Sequence, residues 1–131
     1  MKVLDTDTCI AILRGRMEVL VRRARETDEV VTTWVTASEL FYGAAKSVHP
    51  EKNASLVVRF LDALPVLSPD LTSARLFGEV KSRLAASGQV VADADLFIAA
   101  IAISHGATLV TGNRKHYARI TGLVVEDWLR P

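Results

Sequence analysis

The sequence predicts a three-layer α/β/α domain built on a central parallel sheet of about five strands. Short apolar runs recur along the chain, each too brief for a helix. Between them lie stretches whose apolar residues keep helical spacing. One of these, Asp93 to Ser104, is apolar almost all round, as a helix is when other layers cover it. Strands alternating with helices imply parallel pairing with both faces of the sheet covered.

Taken in order, Val3-Leu4 forms the first strand, and Asp5 or Asp7 is placed to cap a short helix through Ile12. Cys9 packs inside that helix. Arg14, Arg16, Arg22, Arg23 and Arg25 make a basic stretch that reads as solvated helix faces. Val30 to Thr33 is the second strand. Thr36-Ala37-Ser38-Glu39 then has the form of a capping box, with Glu39 reaching back to the start of a helix over Thr36 to Ser47. Pro50 suits a first helical turn and opens a helix to Asp62. Leu64 to Leu67 is the third strand. Leu71, Ala74, Phe77, Val80 and Leu84 share a helix face, and Gly88 closes that helix. The course from Gly88 to Asp93 does not follow from the sequence. Asp93 is a good N-cap, Asp95 suits the first-turn dipole, and Gly106 ends the buried helix. Thr108 to Thr111 and Leu123 to Val125 supply the last two strands. Trp34, Phe41, Phe60, Phe77 and Phe97 fall at core spacing and read as packing residues.

The 131 residues fit one domain, residues 1–131, long enough to bury a real core. Half the residues are hydrophobic and 24% are charged, a balance that excludes a disordered chain. The longest apolar run, Leu96 to Ile103, falls far short of the ~20 residues of a membrane helix. Asp5 comes too early for the apolar core of a signal peptide, so none is expected. Cys9 is the only cysteine, which excludes an internal disulfide and a cysteine-rich zinc site. These features lead to the expectation of a cytoplasmic protein without a membrane anchor.

Parallel α/β sheets bind ligands beyond the carboxyl ends of their strands, where strand order reverses. Asp5 and Asp7 leave the first strand at that edge, and Glu39 lies in the first turn after the second. The helix from Asp93 reaches strand four through a very short loop, so it ends at the opposite edge. Its beginning, with Asp93 and Asp95, therefore faces the Asp5 edge, and Asn113 leaves strand four there too. Taken singly, each acid has a structural explanation as a cap or dipole residue. Together, clustered carboxylates destabilise one another unless a cation sits among them. Oxygen donors without Cys or His select a hard ion, Mg²⁺ or Mn²⁺, which assists phosphodiester hydrolysis. With Asp5, Asp7, Glu39, Asp93 and Asp95 in one place, the rest of a chain of net charge +1 is basic. Arg114, Lys115 and Arg119, with His116 among them, form a second basic stretch placed to meet a polyanion. His116 alone reads as a surface residue, as does His49.

Four segments, "VLDTDTCI", "TASELFYGAAKS", "DLFIAAIAISHGATLVTGN" and "ITGLVVEDWL", resemble the PIN-domain family, and within it the VapC-type toxins of bacterial toxin–antitoxin pairs. They follow the family's order and span the chain. The resemblance implies a PIN-like sheet of order 3-2-1-4-5 and an Mg²⁺-dependent endoribonuclease. It also implies a homodimer, a cognate VapB-type antitoxin and an RNA substrate such as tRNA. Asp5, Glu39 and Asp95 match the family's first, second and third acids. Asn113 stands at the fourth position, with Thr111 before it in the matching threonine position. Asp7 departs from the asparagine usual after the first acid, and Asp93 is an additional acid.

Two other readings come from the residues. "DTDT" after a strand also fits the nucleophile motif of haloacid-dehalogenase-like phosphatases, with Asp5 as nucleophile, but that family needs a lysine and an acidic pair at strand ends. Lys81 is mid-helix and Asp93 and Asp95 begin a helix, so the match stops at the first motif. The other is a non-catalytic RNA-binding or receiver-like module whose acids only cap helices.

Overall fold

The computed structural model describes residues 1–130. Its elements run β1 (Lys2–Leu4), α1 (Thr6–Leu13), α2 (Met17–Arg25), β2 (Val30–Thr33), α3 (Trp34–Ala45), α4 (Pro50–Asp62), β3 (Val66–Leu67), α5 (Leu71–Ala86), α6 (Asp93–Ser104), β4 (Thr108–Val110), α7 (Arg114–Tyr117) and β5 (Val124–Glu126). All strand pairs are parallel, in the order β3-β2-β1-β4-β5. β1 is the middle strand: Val3 pairs with Val31 of β2 and with Leu109 of β4. The architecture is the expected α/β/α sandwich with the strand order that the resemblance implied.

Alternation along the strands divides the interior in two. Val3, Val31 and Leu109 face a core completed by α5 and α6, including Val80, Leu84, Leu96 and Ile98. Leu4 and Val110, one position on, face Cys9, Ile12, Val19, Leu40, Val57 and Trp128 on the other side. Six of the twelve residues of α6 are buried, which confirms a helix held between layers. Cys9 is fully buried with its thiol 3.8 Å from Thr32 Oγ1, and burial pushes its pKa up to about 12. Among the described residues no helix is long and apolar enough to cross a membrane.

Several elements depart from the sequence reading. β3 starts at Val66 because Pro65 has no N–H for the ladder and contributes only its carbonyl, which accepts from Thr32 N at 3.0 Å. β2 runs into α3 without a loop, so the helix starts at Trp34 and its cap is Thr33, whose hydroxyl oxygen accepts from Thr36 N at 3.2 Å. Thr36 is therefore inside the helix, and Glu39 closes no capping box. Ala92, not Asp93, occupies the N-cap of α6. Of the five aromatics read as core, Phe77 and Phe97 stack at 4.0 Å, whereas Trp34 and Phe41 are 38% and 40% exposed.

Arg14, Arg16 and Arg25 of the first basic stretch are exposed as expected, whereas Arg22 is structural. Arg22 of α2 binds Glu26 at 3.0 Å and also Glu126, and lies over the Trp128 ring at 5.0 Å. Glu126 further accepts from Lys2 Nζ at 2.5 Å and from Trp128 Nε1 at 2.6 Å. This knot ties β1, α2 and β5 together. Nearby, Gly112 admits the final turn of chain: a Cβ there would lie 2.3 Å from Leu129 Cδ1.

Burial works to raise the Glu126 pKa, but hydrogen bonds from Lys2 and Trp128 and the charges of Lys2 and Arg22 outweigh it, holding the carboxyl below its ordinary 4.5. Replacing Glu126 with Ala strands the Trp128 indole N–H and should cost about 1–3 kcal/mol in urea unfolding. Since the folded-state pKa is depressed, the advantage of wild type over Glu126→Gln should be complete above pH 4.5 and shrink as pH falls below it. An advantage independent of pH would contradict this assignment.

Candidate active site

Strand order reverses between β1 and β4, and the residues that leave these strands meet at their carboxyl ends. Asp5 follows β1 directly. Its backbone N–H donates to Val110 of β4 at 3.0 Å, and its side chain caps α1 by accepting from Thr8 N at 2.9 Å. Asp5 is only 5% exposed. Burial raises its pKa, hydrogen bonds from Thr111 and Thr8 oppose that rise, and the nearby charge of Asp7 adds to it. Asp7 itself is exposed in the first turn of α1.

Glu39 comes from α3, and Thr6, next to Asp5, holds it: the Thr6 hydroxyl donates to Glu39 Oε1 at 2.9 Å and lies 3.1 Å from Thr36 Oγ1. Asp95 lies in the first turn of α6, with Oδ2 2.9 Å from His116 Nε2. Thr111 accepts from Asn113 N at 3.0 Å, which leaves its hydroxyl hydrogen for Asp5. Asn113 is the N-cap of α7, with an exposed side chain that caps nothing.

One residue joins the three acids. Tyr117 is 3% exposed, and burial together with the charges of Asp95, Asp5 and Glu39 raises its pKa strongly. Its hydroxyl therefore lies in the combined field of all three carboxylates, within hydrogen-bonding reach of Asp95. Asp5, Glu39 and Asp95 thus lie near enough to one another for their charges to act on the same phenol. Asp93 turns instead to Lys81, 2.9 Å away on the exposed flank of α5, so that lysine is engaged away from Asp5. Arg114 and Lys115 are exposed on α7, whereas Arg119 donates to the Val90 carbonyl at 3.3 Å.

His116 is a correction to the sequence reading: it is a partner of Asp95, not a plain surface residue. Tyr117 and Thr6 were missed. No local pattern marks Tyr117, because a helix of four residues has no periodicity to read.

The donor set suits a hard divalent cation in kind. Three carboxylates from separate segments lie near one another, and the causes that shift the buried one include no cation to offset its charge. Among the described residues, however, no three acidic or imidazole side chains are already drawn into an ion cage. Glu39 is engaged by Thr6 and Asp95 by His116. Each carboxylate keeps further lone pairs that these hydrogen bonds do not use and that an ion could take.

Acids gathered at the switch point of a 3-2-1-4-5 parallel sheet define a narrow class of α/β architecture. The PIN domain family model matches residues 2–123. Ribonuclease VapC2 of Haemophilus influenzae is 34% identical over 128 residues, 97% of each chain. The tRNA(fMet)-specific endonuclease VapC of Salmonella typhimurium is 37% identical over 127 residues, 96% of each. The crystal structure of DNA-bound VapBC from Salmonella typhimurium contains a chain that superposes with a TM-score of 0.91 at 36% identity, covering 97% of both. The chain belongs to the PIN-domain family, among the VapC ribonucleases.

Ionised Asp5 weakens the fold, since its folded-state pKa lies above the unfolded one. That loss should be absent below the ordinary 3.8, appear as pH rises through it, and be complete above the folded-state value. In EDTA at neutral pH, Asp5→Asn, which keeps an acceptor for Thr8, should melt a few degrees above wild type. The two melting curves should converge toward pH 3.8. A variant that melts below wild type at neutral pH would show that the carboxylate is a net stabiliser.

Proposed function

We propose that the chain is an Mg²⁺-dependent endoribonuclease and the toxin of a VapBC-type pair, acting in the cytoplasm on structured RNA such as tRNA. The observation that carries the reading is that Asp5, after β1, Glu39, held by Thr6 beside Asp5, and Asp95, at the start of α6, lie close enough together for the charges of all three to act on Tyr117. These three would hold Mg²⁺, or Mn²⁺, with Asn113 assisting. Such an ion supplies charge stabilisation at the phosphoryl group and a bound water of lowered pKa.

The chain's own residues do the rest. Thr111 fixes Asp5 and, through Asn113 N, the turn that leads into α7. Thr6 restrains Glu39. Arg114 and Lys115 stand exposed one and two residues beyond Asn113, where they can neutralise phosphates flanking the scissile bond. Hydrolysis would leave a 5′ phosphate and a 3′ hydroxyl. A tRNA substrate is supported by the name of the Salmonella relative, and an antitoxin partner by the VapBC complexes to which the fold is similar. A homodimer would cover apolar residues now exposed on α4 and α5, among them Leu56, Val58 and Leu71.

The purified protein should cleave RNA with Mg²⁺, stop in EDTA, and leave a phosphomonoester intact. Asp95→Asn should lower cleavage by orders of magnitude, and Mg²⁺ should raise the wild-type melting point more than the variant's. Unimpaired, metal-independent cleavage by Asp95→Asn would refute the assignment. Changing Arg114, Lys115 and Arg119 to Ala together should weaken RNA binding across sequences and flatten its salt dependence, with folding retained.

A further inference from the structure

Two groups at the site have no part in the chemistry so far, and both come from the single turn of α7. His116 Nε2 lies 2.9 Å from Asp95 Oδ2, and the Tyr117 hydroxyl reaches the same carboxylate. The two rings meet edge to face, with centroids 5.3 Å apart and planes at 82°. Tyr117 is anchored in the core alongside Leu96, Ile98 and Ile120, so its ring fixes that of half-buried His116.

Asp95 needs such restraint. It lies in the first turn of α6, its side chain is 34% exposed, and the cap residue Ala92 has no polar side chain to bond that turn. An aspartate in that position is free to move between staggered rotamers unless something holds it. Two donors from α7 do so, and a carboxylate with four lone-pair directions still has others open to an ion.

We propose that His116 and Tyr117 are positioning residues for Asp95, locking its carboxylate at the rim and thereby setting the affinity of the site for its divalent cation. The proposal rests on the reading of Asp95 as a cation ligand. It is supported by the packing of Tyr117: its ring is buried in the core and meets the His116 ring edge to face, which holds the imidazole where it meets Asp95. The connection also runs onward. Asn113 O accepts from His116 N and Tyr117 N at 3.1 and 3.4 Å, and Asn113 N donates to Thr111, the hydroxyl partner of Asp5. One turn of chain therefore sets Asp95 relative to Asp5. Groups that orient a ligating side chain in this way typically change metal affinity about 10–100-fold when removed.

The test uses Mn²⁺ as the probe, with binding followed by electron paramagnetic resonance of the free ion. Tyr117→Phe and His116→Ala should each weaken Mn²⁺ binding about tenfold or more, with the melting temperature in EDTA nearly unchanged. His116→Gln, which keeps an N–H donor for Asp95, should recover most of the affinity. In an Asp95→Asn background, where the positioned carboxylate is gone, the same substitutions should leave the remaining weak binding unaltered. Wild-type Mn²⁺ affinity in the Tyr117→Phe/His116→Ala double variant would overturn the proposal while leaving the cation site standing. Equal weakening in the Asp95→Asn background would also overturn it, since the effect would not act through Asp95. Absence of Mn²⁺ binding by the wild-type protein would overturn the cation site itself, and this inference with it.

Discussion

The burial of Asp5 is the constraint around which the site is arranged. An ionised carboxylate withdrawn from water costs several kcal/mol unless hydrogen bonds or a counter-charge replace its hydration. Here the replacements are the Thr8 N–H and the Thr111 hydroxyl. Hydrogen bonds to a charged group contribute about 1.5–3 kcal/mol each, and at Asp5 they oppose the effect of burial, which is the larger and holds the pKa above its ordinary value. The deficit is electrostatic and local. A divalent cation would remove it, and so would a proton. The rest of the pocket repeats the same situation with weaker burial: Glu39 leans on a hydroxyl and Asp95 on an imidazole and a phenol. Neutral or switchable donors surround all three acids where permanent cations would otherwise pair with them.

That arrangement depends on the sheet. β1 and β4 are neighbours because strand order reverses between them, so Asp5 and Thr111, the residues that follow each, come within hydrogen-bonding distance. α3 and α6 then only need to start at the same edge to deliver Glu39 and Asp95. The acids are far apart in sequence and adjacent in space for purely topological reasons.

This is also why the acids were legible in the sequence and their partners were not. Strand and helix periods place Asp5, Glu39 and Asp95 at one rim without any knowledge of side-chain contacts. Caps are read less safely. Thr36-Ala37-Ser38-Glu39 has the form of a capping box, yet β2 passes into α3 with no loop and Thr33 takes the role. The arginines of α2 look like solvent charge because Glu126, the carboxylate that binds Arg22, lies at the far end of the chain. Tyr117 carries no signal at all: its importance comes from what α6, α3 and β1 bring to it. Residues 89–92 have no periodicity either, and tertiary contacts such as the bond from Arg119 to Val90 hold them.

The central position of β1 has a consequence for biosynthesis. β1, first of the five strands in chain order, has two neighbours, and one of them, Thr108–Val110, is the fourth. During synthesis β1 can pair with β2, but its other edge stays open while the intervening helices emerge. Over that interval Asp5 and Glu39 exist without Asp95, Thr111 or Tyr117. Until the segment from Asp95 to Tyr117 has been made, the acids cannot assemble into the site. The segment that completes the central strand's pairing thus also delivers the last residues of the site.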